Sequence, residues 1–148
     1  MRIAKLQAGF TLMEILLVMA LFAIILGTVS PLVWSFGMQN DLDTSAVVIA
    51  QSLRRAEQLA FMASRDSDWG VNLQNSSVII FSGSSFETRN GDLDEVFKFS
   101  SNFNYNGPTE IVFRKFSGLP DSGSSITIMN SLNQSRIINI NRAGLVEF

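Results

Sequence analysis

The sequence predicts an α+β protein in which a long N-terminal helix, membrane-spanning in its first half, packs its second half on antiparallel β-sheet. Three observations predict it. Residues Ile15 to Asn40 carry no charge. Small and apolar residues then recur at helical spacing as far as Ala63. After Trp69 the pattern changes to short alternating runs separated by Gly, Ser, Asn and Pro clusters. Helix first and strands afterwards, without alternation, is the order of a two-layer α+β domain.

A length of 148 residues with 47% hydrophobic content suits one packed domain. Cysteine and histidine are both absent, which excludes disulfide frameworks, thiol nucleophiles, the usual zinc sites and any Ser-His-Asp triad. A formal net charge of −2 offers no broad basic surface for nucleic acid.

At the N-terminus Arg2 and Lys5 precede the apolar run, and the next basic residue is Arg54. The positive-inside rule therefore places the N-terminus in the cytoplasm and the bulk of the chain outside. A bilayer core of about 30 Å needs roughly 20 helical residues, which the charge-free run can supply. A cleaved secretory signal, an ordinary signal anchor and a precursor cut on the cytoplasmic flank are three ways to read such a segment. Glu14 separates them, because a carboxylate at the start of a span costs several kcal/mol unless it has a use. Secretory cleavage after Thr28-Val29-Ser30 is disfavoured by Pro31.

The remaining site lies at Gly9-Phe10, within Gly9-Phe10-Thr11-Leu12-Met13-Glu14 and ahead of Ile15-Leu16-Leu17-Val18-Met19-Ala20-Leu21. This string, with its short basic leader, resembles the class III signal of type IV pilins and type II secretion pseudopilins. The resemblance implies that a prepilin peptidase cuts after Gly9 and methylates the new terminus at Phe10. It places Glu14 at the fifth processed position, where the family carries an assembly glutamate. It also implies a helix-bending proline at Pro31. Proline removes one backbone hydrogen bond and crowds the preceding turn, so a kink or local melting is expected near Gly27 to Pro31.

Beyond the span, Ala46, Ile49, Ala50, Leu53, Ala56, Ala60 and Ala63 form one buried stripe, with Arg54, Arg55 and Glu57 on or beside the polar side. Strands are expected at 71–73, 78–81, 96–99, 111–113, 126–128 and 137–140. Trp69, Phe81, Phe97, Phe99 and Phe113 are expected core residues. Trp34 and Phe36 suit an interfacial aromatic belt. Leu53-Arg54-Arg55-Ala56, Trp69-Gly70-Val71, Ile126-Thr127-Ile128 and Asn139-Ile140-Asn141-Arg142-Ala143-Gly144 resemble H-type pseudopilins and FimT-like minor pilins, which implies a pilin-like fold.

Some FimT-like proteins bind DNA through arginines that follow a tail glycine. Here Leu145, Val146 and Glu147 follow Gly144, and only Arg142 remains, so nucleic acid is not an expected partner. Asn90, Asp92, Asp94 and Glu95 make an oxygen-rich loop without an EF-hand's glycine and distal glutamate pattern, so no metal is expected. No cofactor or catalytic residue is expected either. A Ser-Lys dyad using Lys98 or Lys115 is the common nucleophilic arrangement left, and neither lysine stands in a motif.

The resulting organisation is a leader at 1–9, a transmembrane and assembly half-helix at 10–35, a soluble half-helix at 36–65 and an antiparallel β domain at 66–148. The expected function is that of a structural subunit, a minor pseudopilin or minor pilin. Its partners would be other pilin-like subunits, the prepilin peptidase and an inner-membrane assembly platform. The alternatives are a membrane-anchored extracytoplasmic enzyme or binding domain and, within the family, a DNA-uptake minor pilin.

Overall fold

A computed structural model describes residues 10–99 and 103–148, with backbone alone at 28–36 and 38. The chain divides into two compact units, Met1–Gly37 and Met38–Phe148. Helix α1, Leu12–Phe61, contributes to both. In the first unit the described side chains from Leu12 to Gly27 are all exposed. Among the described residues no helix is long and apolar enough to cross a membrane. The backbone is helical through Pro31, so of the kink or local melting expected there, the melting does not occur. Loss of one N–H leaves the flanking turns able to hold the helix. The side chains of Pro31, Trp34 and Phe36 lie outside those described.

In the second unit the helix buries Leu42, Ala46, Ile49, Ala50, Leu53, Ala56 and Ala60. These positions share one face at a spacing of three or four residues. Four of these seven residues are alanine. The helix stops at Phe61, short of the expected Arg65. Ala63 adopts a left-handed conformation (φ 46°, ψ 39°), and a short 3-10 turn follows at Ser64–Asp66. Ala63 is half-buried and closes the helix instead of extending its stripe.

Eight strands follow: β1 Trp69–Gln74, β2 Ser77–Ser82, β3 Glu95–Lys98, β4 Asn104–Asn106, β5 Glu110–Phe113, β6 Ser124–Met129, β7 Ser135–Ile140 and β8 Val146–Glu147. They form two antiparallel sheets, ordered β3-β2-β1-β5 and β4-β6-β7-β8. The inward residues Val71, Val78, Ile80, Ile111 and Phe113 of the first sheet and Ile126, Ile128, Ile138, Ile140 and Val146 of the second share one core with the helix stripe. Alternate residues face inward because side chains change sides along a strand. Gly70 lies opposite Phe81, and a Cβ on it would meet the Phe81 ring at 2.5 Å.

All six expected strands form, each lengthened by one to three residues, apart from the third, which runs 95–98 instead of 96–99. Strands β4 and β8 were not expected. Their three and two residues are too short to show alternation. Phe97 corrects the core list: it is 40% exposed on edge strand β3, whereas Phe81 and Phe113 are fully buried. Trp69 is buried, and its indole Nε1 donates to the Ser64 carbonyl at 2.9 Å. Phe99 is half-buried against the core and meets Phe103 edge-to-face at 5.9 Å.

Candidate functional site

The sequence places its strongest candidate at the start of α1. Phe10 and Thr11 precede the helix, and Glu14 lies in its first turn. Thr11 caps it: the Glu14 amide donates to Thr11 Oγ1 at 3.3 Å and to the Thr11 carbonyl at 3.1 Å. The Ile15 amide also donates to that carbonyl, at 3.3 Å. A threonine hydroxyl accepting from the third residue beyond it satisfies one of the donors a helix leaves unpaired at its N-terminus. Glu14 stands where an acidic residue interacts favourably with the helix dipole.

Phe10, Glu14, Ile15, Val18 and Met19 border one shallow groove of about 310 Å³. The Glu14 carboxylate is exposed in otherwise apolar surroundings. In that setting it can receive a cation from another molecule as those surroundings are covered. Phe10 and Glu14 are thus brought together. Gly9 lies outside the described residues, and Pro31 is located only by its helical backbone.

The other candidates resolve differently. In the acidic loop, Asn90 accepts from the Asp92 amide and caps a 3-10 turn at Gly91–Leu93. Asp94 holds Arg89 at 2.9 Å, and Glu95 accepts from Arg55 Nε and Nη2 at 2.7 and 2.8 Å. Two of the loop's carboxylates therefore have cationic partners within the chain. Among the described residues no cluster of three or more acidic side chains is placed to hold a metal ion. Lys115 Nζ is bound to Asp66 Oδ1 at 3.1 Å, and Lys98 is exposed on β3. Arg142 is exposed in the β7–β8 turn.

Arg54 and Glu57 are more engaged than a solvated face implies. Arg54 donates to the Val146 carbonyl at 2.8 Å and reaches over the Phe148 ring. Glu57 is half-buried and packs against Gly144, where a Cβ would meet Glu57 Oε1 at 2.9 Å. Burial pushes the Glu57 carboxyl above its ordinary value, and Arg54 pulls it partly back. Asp43 Oδ1 approaches Arg136 Nε at 2.7 Å without hydrogen-bonding angles.

Sequence reasoning missed two features. The capping role of Thr11 was legible in Thr11-Leu12-Met13-Glu14, a Thr-x-x-Glu pattern ahead of an apolar run. The exposed apolar cluster at the far end of α1 was not. Phe61 and Met62 are exposed at its end, and the Phe116 amide donates a hydrogen bond to the Ala60 carbonyl at 2.9 Å. Nothing in local spacing joins residues 61 and 116.

A protein-family model, the prokaryotic N-terminal methylation motif, matches residues 4–30. The match contains Gly9, Phe10 and Glu14. It indicates a type IV pilin-like protein that is processed by prepilin peptidase and assembles with other pilin subunits. No curated protein and no solved structure matches the chain.

Proposed function

We propose that the chain is a minor pseudopilin or minor pilin, a non-enzymatic structural subunit of a type II secretion pseudopilus or a type IV pilus. It is made as a precursor in the inner membrane, crosses it once with its N-terminus in the cytoplasm, and is cut between Gly9 and Phe10. The observation that carries this reading is the N-terminal methylation motif at residues 4–30. The exposed Glu14 in the first turn of α1 supports it.

Cleavage creates an ammonium at Phe10, and methylation retains its charge. Entry into a filament buries that cation among apolar helices, where an unpaired charge is costly. Glu14 of the adjacent subunit neutralises it, so assembly itself completes the ion pair. The contact is heterologous and generates an open filament.

Two variants test the charge pairing. Glu14→Ala removes the carboxylate, whereas Glu14→Gln keeps a polar side chain at the same position of the first turn. Removing one partner of a buried pair costs about 3–5 kcal/mol. Both variants are therefore expected to be cleaved normally, measured by mass, and to fail in crosslinked co-assembly with other subunits. Wild-type co-assembly by Glu14→Gln would leave the residue with only its helix-end role.

A further inference from the structure

We propose that the open edge of β3 is a docking site for an extended strand of another protein, one that carries an acidic residue followed by two apolar residues. The contact adds to the helix-mediated assembly described above and does not depend on it.

The pairing of β3 fixes which of its backbone groups are free. Glu95 lies opposite Ile80 and Phe97 opposite Val78, and the Phe99 amide continues the series by donating to the Ser76 carbonyl at 2.8 Å. Hydrogen-bonded pairs recur at every second residue of an antiparallel ladder. Glu95 and Phe97 therefore turn their N–H and C=O groups to β2, and those of Val96 and Lys98 point to the open edge. No described backbone group bonds them there.

The other sheet edges are less available. Strand β5 is partly covered where Phe113 bridges Pro120 and the Arg114 amide donates to the Leu119 carbonyl at 3.0 Å. Strands β4 and β8 have three and two residues, and short edges discourage pairing. Strand β3 has four, with Val96 51% and Phe97 40% exposed on its opposite faces.

Each face of β3 recognises a different side chain. Phe97 stands opposite the buried Val78 and so points to the helix side, where it borders a groove of about 430 Å³ with Val48, Gln51, Ser52, Arg55 and Glu95. Arg55 and Glu95 neutralise one another in that groove. An aromatic side chain placed opposite Phe97 would fill it and lie beside the guanidinium. On the other face Val96 takes a second apolar residue, and Lys98 takes a carboxylate. Lys98 is exposed and in no ion pair among the described residues. An antiparallel strand meets Lys98, Phe97 and Val96 in that order, which sets the sequence acidic, apolar, apolar. In this mode of recognition main-chain bonds supply affinity and alternate side chains supply specificity.

A second copy of the chain fits poorly. Two-fold pairing centred on Phe97 sets Lys98 against Val96. Pairing centred on Val96 sets it against Asp94, which Arg89 already holds at 2.9 Å.

The probe is an acetylated and amidated peptide, Thr-Glu-Phe-Val-Thr-Thr, added to the full-length chain in detergent micelles. At about 1 mM peptide, hydrogen exchange of the Val96 and Lys98 amides should slow about five-fold or more, while the Glu95 and Phe97 amides change little. Val96→Pro removes an outward N–H and leaves the β2 ladder intact, a position where a strand edge tolerates proline. It should weaken binding of labelled peptide about ten-fold. Lys98→Glu should weaken it as well, and a peptide with Lys in place of Glu should restore it. This charge exchange keeps the test open should the proline variant unfold.

No slowing at Val96 and Lys98, equal binding of a scrambled peptide, or no effect of the charge exchange would each overturn the proposal. Self-association that Val96→Pro abolishes, without binding of the peptide, would mean that a second copy occupies the edge and would overturn it too.

Discussion

The two halves of α1 are one element made for two environments. From Leu12 to Gly27 every described side chain is exposed, with Leu12 at 80% and Leu26 at 69%. From Leu42 to Ala60 the large and small apolar residues of one face are buried to within 1%. The first half is apolar all round, with no preferred face for a sheet to cover. In the proposed function that surface is covered by lipid and then by the helices of other subunits. The second half confines its apolar residues to one stripe and satisfies it within its own chain. Helical periodicity thus separates a segment that needs partners from one that has them.

The largest expected effect breaks this comparison at its N-terminal end. Gly9→Val should block cleavage, so that precursor accumulates in the membrane while the Met38–Phe148 unit keeps its melting temperature. The ratio of precursor to mature mass checks it. Normal processing would remove the assigned cleavage site.

Matched truncations sharpen the contrast between the halves. Leu53→Ala empties a fully buried position of the stripe and should cost about 2–5 kcal/mol in denaturant unfolding. Leu17→Ala removes an equal side chain from the exposed half and should change the unfolding of the Met38–Phe148 unit by less than about 0.5 kcal/mol. Equal costs would contradict the contrast between an exposed and a buried half of α1.

A smaller effect lies in the second unit, where Tyr105 is half-buried and its hydroxyl donates to the Gln74 carbonyl at 3.0 Å. Burial pushes its phenol up to about 12 from 10. The unfolded phenol ionises first, so this contribution is intact below about pH 10 and is lost as pH rises towards 12. Tyr105→Phe should cost about 1 kcal/mol at neutral pH through the lost hydrogen bond. It should also flatten the alkaline limb of a stability profile.

The smallest effect concerns Glu57, whose carboxyl is raised by burial. The unfolded group ionises first as pH climbs past 4.5, so this residue's contribution favours the fold at low pH and fades as pH rises through the folded value. Glu57→Gln should remove that slope and leave the neutral melting temperature unchanged or slightly higher. A clear loss at pH 7 would show that the attraction of the nearby Arg54 charge outweighs its burial.

What could be read in the sequence follows from the range of each determinant. The stripe expected from Ala46 to Ala63 and the six strands are set by local periodicity, and all of them formed except for the stripe's last member, Ala63. Leu42 lies before the expected stripe, which began at Ala46, and was missed although Asp41 and Asp43 flank it. Phe97 was misplaced because its type suits a core, whereas its exposure comes from lying on edge strand β3. Strands β4 and β8 exist only through their partners β6 and β7. The approach of Glu57 to Gly144 joins segments nearly ninety positions apart, which no local pattern encodes. At the candidate site the methylation motif that contains Phe10 and Glu14 was legible because it is one contiguous string. The cap at Thr11 was equally local and was overlooked beside the carboxylate that follows it.

The central claim is that this chain is a precursor whose N-terminus is remade before assembly. Intact-mass and N-terminal peptide analysis of the native protein, recovered from cells that possess the peptidase, tests it most directly. The account predicts a chain that lacks Met1 to Gly9 and begins at an N-methylated Phe10. A chain that retains Met1 to Gly9 in those cells would contradict it.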